Sequence, residues 1–252
     1  LAVAWCRQVD DGIRDPRARV TVDPAGHTAG PTGLSTFDDA ATVSERDLVR
    51  LMMTVSDNTA ADVLLRAVGL DAVAATSAAL GLAGTRVRGG TADALAGLQR
   101  DLAQASPAAA LEALASTDVT SRISAYDPAL ASATTAADMT TLLRDVWLDR
   151  AAGTESCAFL RRIMAQQVWP HRLAAAFPYD DVLTSGKTGT LGALRHEVGV
   201  VEFPGEVPVA VAVLTRSARS ERALPGADAA IARVARIAVG ALRRVRDSAR
   251  PA

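Results

Sequence analysis

At Val182 the character of this sequence changes, and the change limits the folds open to it more than any single residue does. Between residues 44 and 167 the apolar residues recur at helical spacing, while residues 182–183, 197–203 and 207–215 read as β-strands. Gly192 lies in the first strand connection and Pro204-Gly205 in the second, both short enough for antiparallel neighbours. A closing helix over 227–246 carries Ile231, Val234, Ala238, Leu242 and Val245 on one face, which is expected to be its packed face. Helices and strands segregated in this way argue for an α+β fold with an antiparallel sheet, not for a parallel α/β sheet. At 252 residues the chain is long enough for one large domain or two lobes.

The helical block has legible boundaries. Ser44 followed by Asp47 is a variant of the capping box, and Leu48, Leu51, Met52 and Val55 then form a stripe. A second helix covers 59–68 and stops at Gly69, and a third covers 71–80 and stops at Gly81. Leu95, Leu98 and Leu102 suggest another, and Ser106-Pro107 opens one more in the favoured cap and first-turn arrangement. Thr135 with Asp138 caps a helix bearing Met139, Leu142, Leu143, Val146 and Trp147, and a further helix spans 155–167. Residues 1–13 read as a helix ending near Gly12, and 15–33 as a turn-rich stretch.

Charge and cysteine usage exclude several classes. Net charge is −1 with arginines spread along the chain, so no basic tract points to nucleic acid. No apolar run is long enough to span a bilayer. Cys6 and Cys157 are too few for a disulfide framework and read as core thiols. His27, His171 and His196 share no metal-ligand spacing.

Lys187 stands out in this background. It is the only lysine among 27 basic residues, the rest being arginine. An ammonium is a compact point charge with a tunable pKa, whereas a guanidinium is a wide fork that stays charged. A narrow cleft that holds a carboxylate or relays a proton needs the former. Lys187 lies in Thr184-Ser185-Gly186-Lys187-Thr188-Gly189-Thr190, on the first strand after the helical block. Ser56-Asp57-Asn58 follows the amphipathic helix that Ser44 opens.

S-D-N and K-T-G in that order, each in this setting, resemble the class A β-lactamases and penicillin-binding proteins. The run from Leu51 to Ala61 is similar to that family's helix and loop, and the order of elements matches along nearly the whole chain. The resemblance implies a β-lactamase/transpeptidase-like fold in one domain over 1–252. Its α+β lobe would comprise 1–39 and 176–252, and its helical lobe 40–175. It implies acyl transfer from the amide of a β-lactam or a D-alanyl peptide, without a cofactor, by a monomer in a secreted, periplasmic or cell-envelope setting. By the same resemblance Ser56 would relay a proton to the departing nitrogen and Asn58 would hold the substrate's side-chain amide. Asp57 would satisfy backbone donors. Lys187 would set the electrostatics beside Ser56, and Thr188 or Thr190 would bind the substrate carboxylate. Gly189 would let a substrate backbone approach, and the Thr190 N–H would be one oxyanion donor.

Two departures bear on activity. The third signature, S-x-x-K, is absent from these residues, since Lys187 is the sole lysine. The opening run Leu1-Ala2-Val3-Ala4-Trp5-Cys6 is similar to the helix that follows that tetrad, so the tetrad and two strands of the sheet are expected just upstream. The family's deacylating glutamate in an E-x-x-L-N setting is also not found. Asp93, Asp101, Glu112, Asp118 and Asp127 are the acids between Gly81 and Ser132, and none reproduces it. The resemblance points first to a β-lactamase-like serine hydrolase acting through an acyl-enzyme; a D,D-peptidase, an esterase, or a sensor that keeps the cleft without turnover are the alternatives. Arg195 and Arg216, which flank the strands, read as solvated charges at strand ends, with help to Lys187 in holding a carboxylate as the alternative.

Overall fold

The computed structural model describes residues 1–116 and 123–248. Ten helices and five strands are described there: α1 (Ala2–Asp10), β1 (Arg19–Val22), β2 (Ala41–Ser44), α2 (Glu45–Thr54), α3 (Asn58–Val68), α4 (Leu70–Ala79), α5 (Thr91–Asp101), α6 (Pro107–Ser116), α7 (Ala136–Trp147), α8 (Thr154–Met164), α9 (Leu173–Ala176), β3 (Leu183–Leu191), β4 (Leu194–Glu202), β5 (Val209–Arg216) and α10 (Pro225–Ser248). The expected α+β class is the observed one.

The helix starts follow from their caps. Ser44 Oγ accepts the Asp47 N–H at 3.2 Å and donates to the Asp47 carboxylate at 2.6 Å, so α2 begins where the serine satisfies its free donors. Thr135 does the same for α7 through Asp138 N (3.0 Å), and Ser106 for α6 through Ala109 N (3.1 Å). Behind these caps Leu48, Val49 and Met52 of α2 join Ala60 and Leu64 of α3 and Ile163 of α8 in the largest apolar core. Trp5 and Cys6 of α1 lie in the same core. We propose that 1–252 act as one domain of two lobes divided near residues 39 and 175; α1 packs on α3, α4 and α8 of the helical lobe.

The second layer is a sheet of order β3-β4-β5, antiparallel throughout. Gly192, at φ +52°, turns β3 into β4, and Gly205, at φ +69°, lies between β4 and β5. Val200 packs against Leu143 of α7 and Met164 of α8 on one face. On the other, Val201, Val211 and Val213 pack against Ile231, Ala235 and Val239 of α10. The sheet is thus held between the helical block and the last helix, with β3 presenting an edge beside α8.

Three expectations are corrected. The turn-rich stretch contains one strand of a two-stranded ribbon, β1, paired antiparallel with β2 beyond it, and four-residue strands are too short to show periodicity. Helix α8 ends at Met164, three residues early, which frees Gln167 from the helix. The packed face of α10 is Ile231-Ala235-Val239; Val234, Leu242 and Val245 of the expected stripe are exposed, and so is Ile237. This helix has two apolar faces, and the sheet covers one of them. Cys6 and Cys157 are buried free thiols, as expected, and burial pushes Cys6 up to about 12.

Candidate active site

The site forms where the end of α2 meets β3. After Thr54 the chain turns through Ser56, whose φ of 63° lies in the left-handed region that a non-glycine residue enters only at a cost of about 1–3 kcal/mol. Asp57 holds that turn. Its fully buried carboxylate accepts the Leu34 N–H at 2.7 Å, the Ser35 hydroxyl at 3.2 Å and the Ala60 N–H at 3.2 Å, the last capping α3. Gly33 is glycine for a visible reason: a Cβ there would sit 2.3 Å from Asp57 Oδ2, and its φ is +61°. Asp57 is therefore the structural member of the tripeptide, as expected.

Ser56 and Lys187, 131 residues apart in sequence, are in contact. Lys187 Nζ donates to Ser56 Oγ at 2.7 Å and to the Thr188 carbonyl at 2.7 Å. Its partners are neutral oxygens, and burial lowers the amine from 10.5 to about 8, with Glu197 opposing that shift and Arg172 adding to it. Asn58 is held elsewhere: its amide donates to the Ala29 carbonyl at 2.7 Å, which fixes the side chain against the 29–30 loop. No protein atom demands a glycine at 189, since a Cβ there would make only ordinary contact with His196 at 3.5 Å.

Lys187 lines a cavity of about 640 Å³ together with Leu1, Met53, Tyr126, His196 and Leu214, among others. No carboxylate is among the described residues that line it. The acids considered as bases are engaged elsewhere. Asp93 accepts Gly90 N (2.8 Å) at the start of α5, and Asp101 accepts the Ser124 amide and hydroxyl. Glu112 pairs with Arg222, and Asp127 accepts Ala129 N. Asp118 lies outside the described residues. His196 Nδ1 sits 2.8 Å from the Arg195 carbonyl and 3.1 Å from Thr215 N, and burial holds the ring below its usual range.

Three residues that the motifs did not flag complete the β3 edge. Arg172 is 2% exposed; it donates to Asp228 (2.6 Å), to the Gly189 and His196 carbonyls (3.1 and 2.7 Å) and to Thr190 Oγ1 (2.8 Å). Gln167 Oε1 accepts the Thr188 N–H at 2.7 Å, and its Nε2 donates to Glu197 at 3.0 Å. Glu197, 3% exposed, also accepts the Leu173 N–H at 2.6 Å, and burial raises its carboxyl above the usual range. No local sequence pattern marks any of the three; Glu197 shares its face of β4 with Arg195 as well as Val201. Arg195 is corrected from a solvated charge to a buried one. Its guanidinium donates to the Gly192, Leu194 and Glu221 carbonyls and ties the hairpin to the loop before α10. Arg216 stacks over the Tyr126 ring at 4.9 Å.

Comparison with known proteins agrees with this geometry. The model of the family described as the beta-lactamase enzyme family matches residues 1–242. The chain belongs to that family. Within it, the beta-lactamase regulatory protein BlaB of Streptomyces cacaoi is 36% identical over 252 residues, which span 94% of this chain and 80% of that protein. The β-lactamase of Sphaerobacter thermophilus superposes with a TM-score of 0.75 at 25% identity, covering 95% of this chain and 79% of the other. PBP-A superposes equally well, at 0.75 over 96% of this chain and 78% of its own, but at 19% identity it speaks for the fold alone. The fold of this β-lactamase-family chain is therefore the β-lactamase/transpeptidase-like one, and its S-D-N and K-T-G segments meet at one site.

Proposed function

We propose that this chain recognises the carboxylate and amide of a β-lactam, or of a D-alanyl peptide, at the Ser56–Lys187 site. In this reading it captures the ligand without hydrolysing it rapidly. The observation that carries the reading is the 2.7 Å contact of Lys187 Nζ with Ser56 Oγ, at the margin of a cavity that Lys187 lines and that no described carboxylate lines. Lys187 and the Thr188 or Thr190 hydroxyl would take the ligand carboxylate, and the Thr190 N–H its carbonyl oxygen. Ser56 would stand beside the ring nitrogen as a proton relay, and Asn58 beside the side-chain amide. A regulatory relative at 36% identity is consistent with capture. We place the protein in a secreted or cell-envelope setting, where such ligands occur.

The rival is a hydrolase that forms an acyl-enzyme. It requires an S-x-x-K nucleophile, which these 252 residues do not contain. One oxyanion donor comes from the nucleophile's own amide, and a donor of that kind is worth about 3 kcal/mol of barrier. The 252-residue chain mixed with a fluorescent penicillin is therefore expected to show no covalent label on a denaturing gel. A label mapped to any serine by peptide mass spectrometry overturns the capture reading. Joined to a segment supplying S-x-x-K ahead of Leu1, the cleft is expected to acylate and to release slowly, leaving a persistent adduct in the intact mass.

A further inference from the structure

The edge of β3 is closed at one position and open at the next, and the closure is built from the far side of the sheet. Cross-strand partners share a face: Lys187 pairs with Val198 on the cavity side, and Thr188 pairs with Glu197 on the side of α9 and α10. Glu197 cannot reach the Lys187 ammonium through the sheet. Its carboxylate instead accepts the Leu173 N–H and the Gln167 amide, and Gln167 reaches round the edge to accept the Thr188 N–H. With Nε2 committed to Glu197, the Gln167 amide has one orientation, its oxygen toward Thr188. Gly186 makes room for this pair, since a Cβ there would lie 2.7 Å from Glu197 Oε1 and 3.2 Å from Gln167 Nε2.

Outward-facing amides alternate along an edge strand. The Thr188 N–H points outward to Gln167, so the Thr190 N–H, two residues on, points outward as well. The Thr188 carbonyl is already taken by Lys187. A ligand that lies along this edge thus meets both backbone groups of Thr188 occupied and the amide of Thr190 available.

We propose that Gln167, locked by Glu197, is the positioning residue that sets the register in which a ligand pairs with β3. It blocks pairing at Thr188 and leaves Thr190 as the donor. The proposal rests on the recognition reading for its ligand but not for the lock itself. Around the lock the charged and titratable groups are Glu197 on β4, Lys187 on β3, Arg172 before α9 and His196 on the cavity face.

Amide exchange and amide shifts in the ¹⁵N-labelled 252-residue chain test it. Gln167→Leu is expected to speed exchange of the Thr188 amide at least tenfold while Thr190 exchanges at the wild-type rate. Gln167→Glu retains an acceptor and is expected to restore protection at low pH, where it and Glu197 share a proton, and to lose it as pH rises. On adding benzylpenicillin, the Thr190 amide alone is expected to shift in the wild type, and both amides in Gln167→Leu. Unchanged Thr188 protection in Gln167→Leu overturns the lock. Unchanged ligand-induced shifts, with protection lost, overturn the register role. A wild-type chain in which benzylpenicillin shifts no amide sinks the recognition reading and the register role together, and the exchange result still decides the lock.

Discussion

Lys187 is a lysine where 26 other basic positions are arginine, and its surroundings explain the choice. A guanidinium fork does not fit where one nitrogen must reach both Ser56 Oγ and the Thr188 carbonyl at 2.7 Å. Lys187→Arg is expected to weaken β-lactam binding roughly tenfold although charge is kept; equal affinity in a competition assay would remove the size argument. The folded pKa of about 8 lies below the ordinary 10.5, so between these values the unfolded chain binds more protons than the folded one. Stability attributable to this group therefore rises with pH across that window and is lowest below pH 8. Melting curves of wild type and Lys187→Met at pH 7.5 and 10 check the sign: the wild type gains relative to the variant as pH rises. The proposed carboxylate binding is expected to run the other way and to fade as pH rises through about 8, where the amine loses its charge. At Asp57 the stake is the turn itself. Asp57→Ala strands the Leu34 N–H and the Ala60 N–H, the latter being the cap of α3, and is expected to cost about 2–4 kcal/mol in urea unfolding.

At the scale of elements, caps and punctuation were legible while buried polar partners were not. Ser44, Ser106 and Thr135 announce helix starts because the cap bond is local in sequence, and Gly69 and Gly81 announce stops by their positive φ. Ser56, Asp57 and Lys187 were legible as motifs. Gln167, Arg172 and Glu197 were not, because what defines them is a contact across 17 to 30 residues that no local pattern encodes. The stripe on α10 misled for another reason: the helix carries two apolar faces, and periodicity cannot say which one meets the sheet. The uncovered face, with Val234 and Ile237, lies on the same helix that covers β5, whose outer edge pairs with no described strand. Apolar faces and open edges invite association. The 252-residue chain is accordingly expected to self-associate with rising concentration in sedimentation, and Val234→Glu with Ile237→Glu to reduce it. A monodisperse wild-type monomer at all concentrations contradicts this.

At the scale of the whole molecule, two layers meet at one line, and the proposed site lies on it. The helical block brings Ser56 on a strained turn anchored by Asp57; the sheet brings Lys187, Thr188 and Thr190 on an edge anchored by Gln167 and Arg172. Family membership and fold stand on the whole chain, while the proposed ligand and the proposed slow turnover rest on this site. The central claim is that Lys187 receives a β-lactam carboxylate. Because it is the sole lysine, [¹³Cε]lysine labelling gives one side-chain signal that reports on it alone. Titrated with benzylpenicillin at pH 7, that signal is predicted to shift saturably, to return on dialysis, and to titrate at higher pH when the ligand is bound. A signal that stays put while ligand saturates the solution contradicts the account.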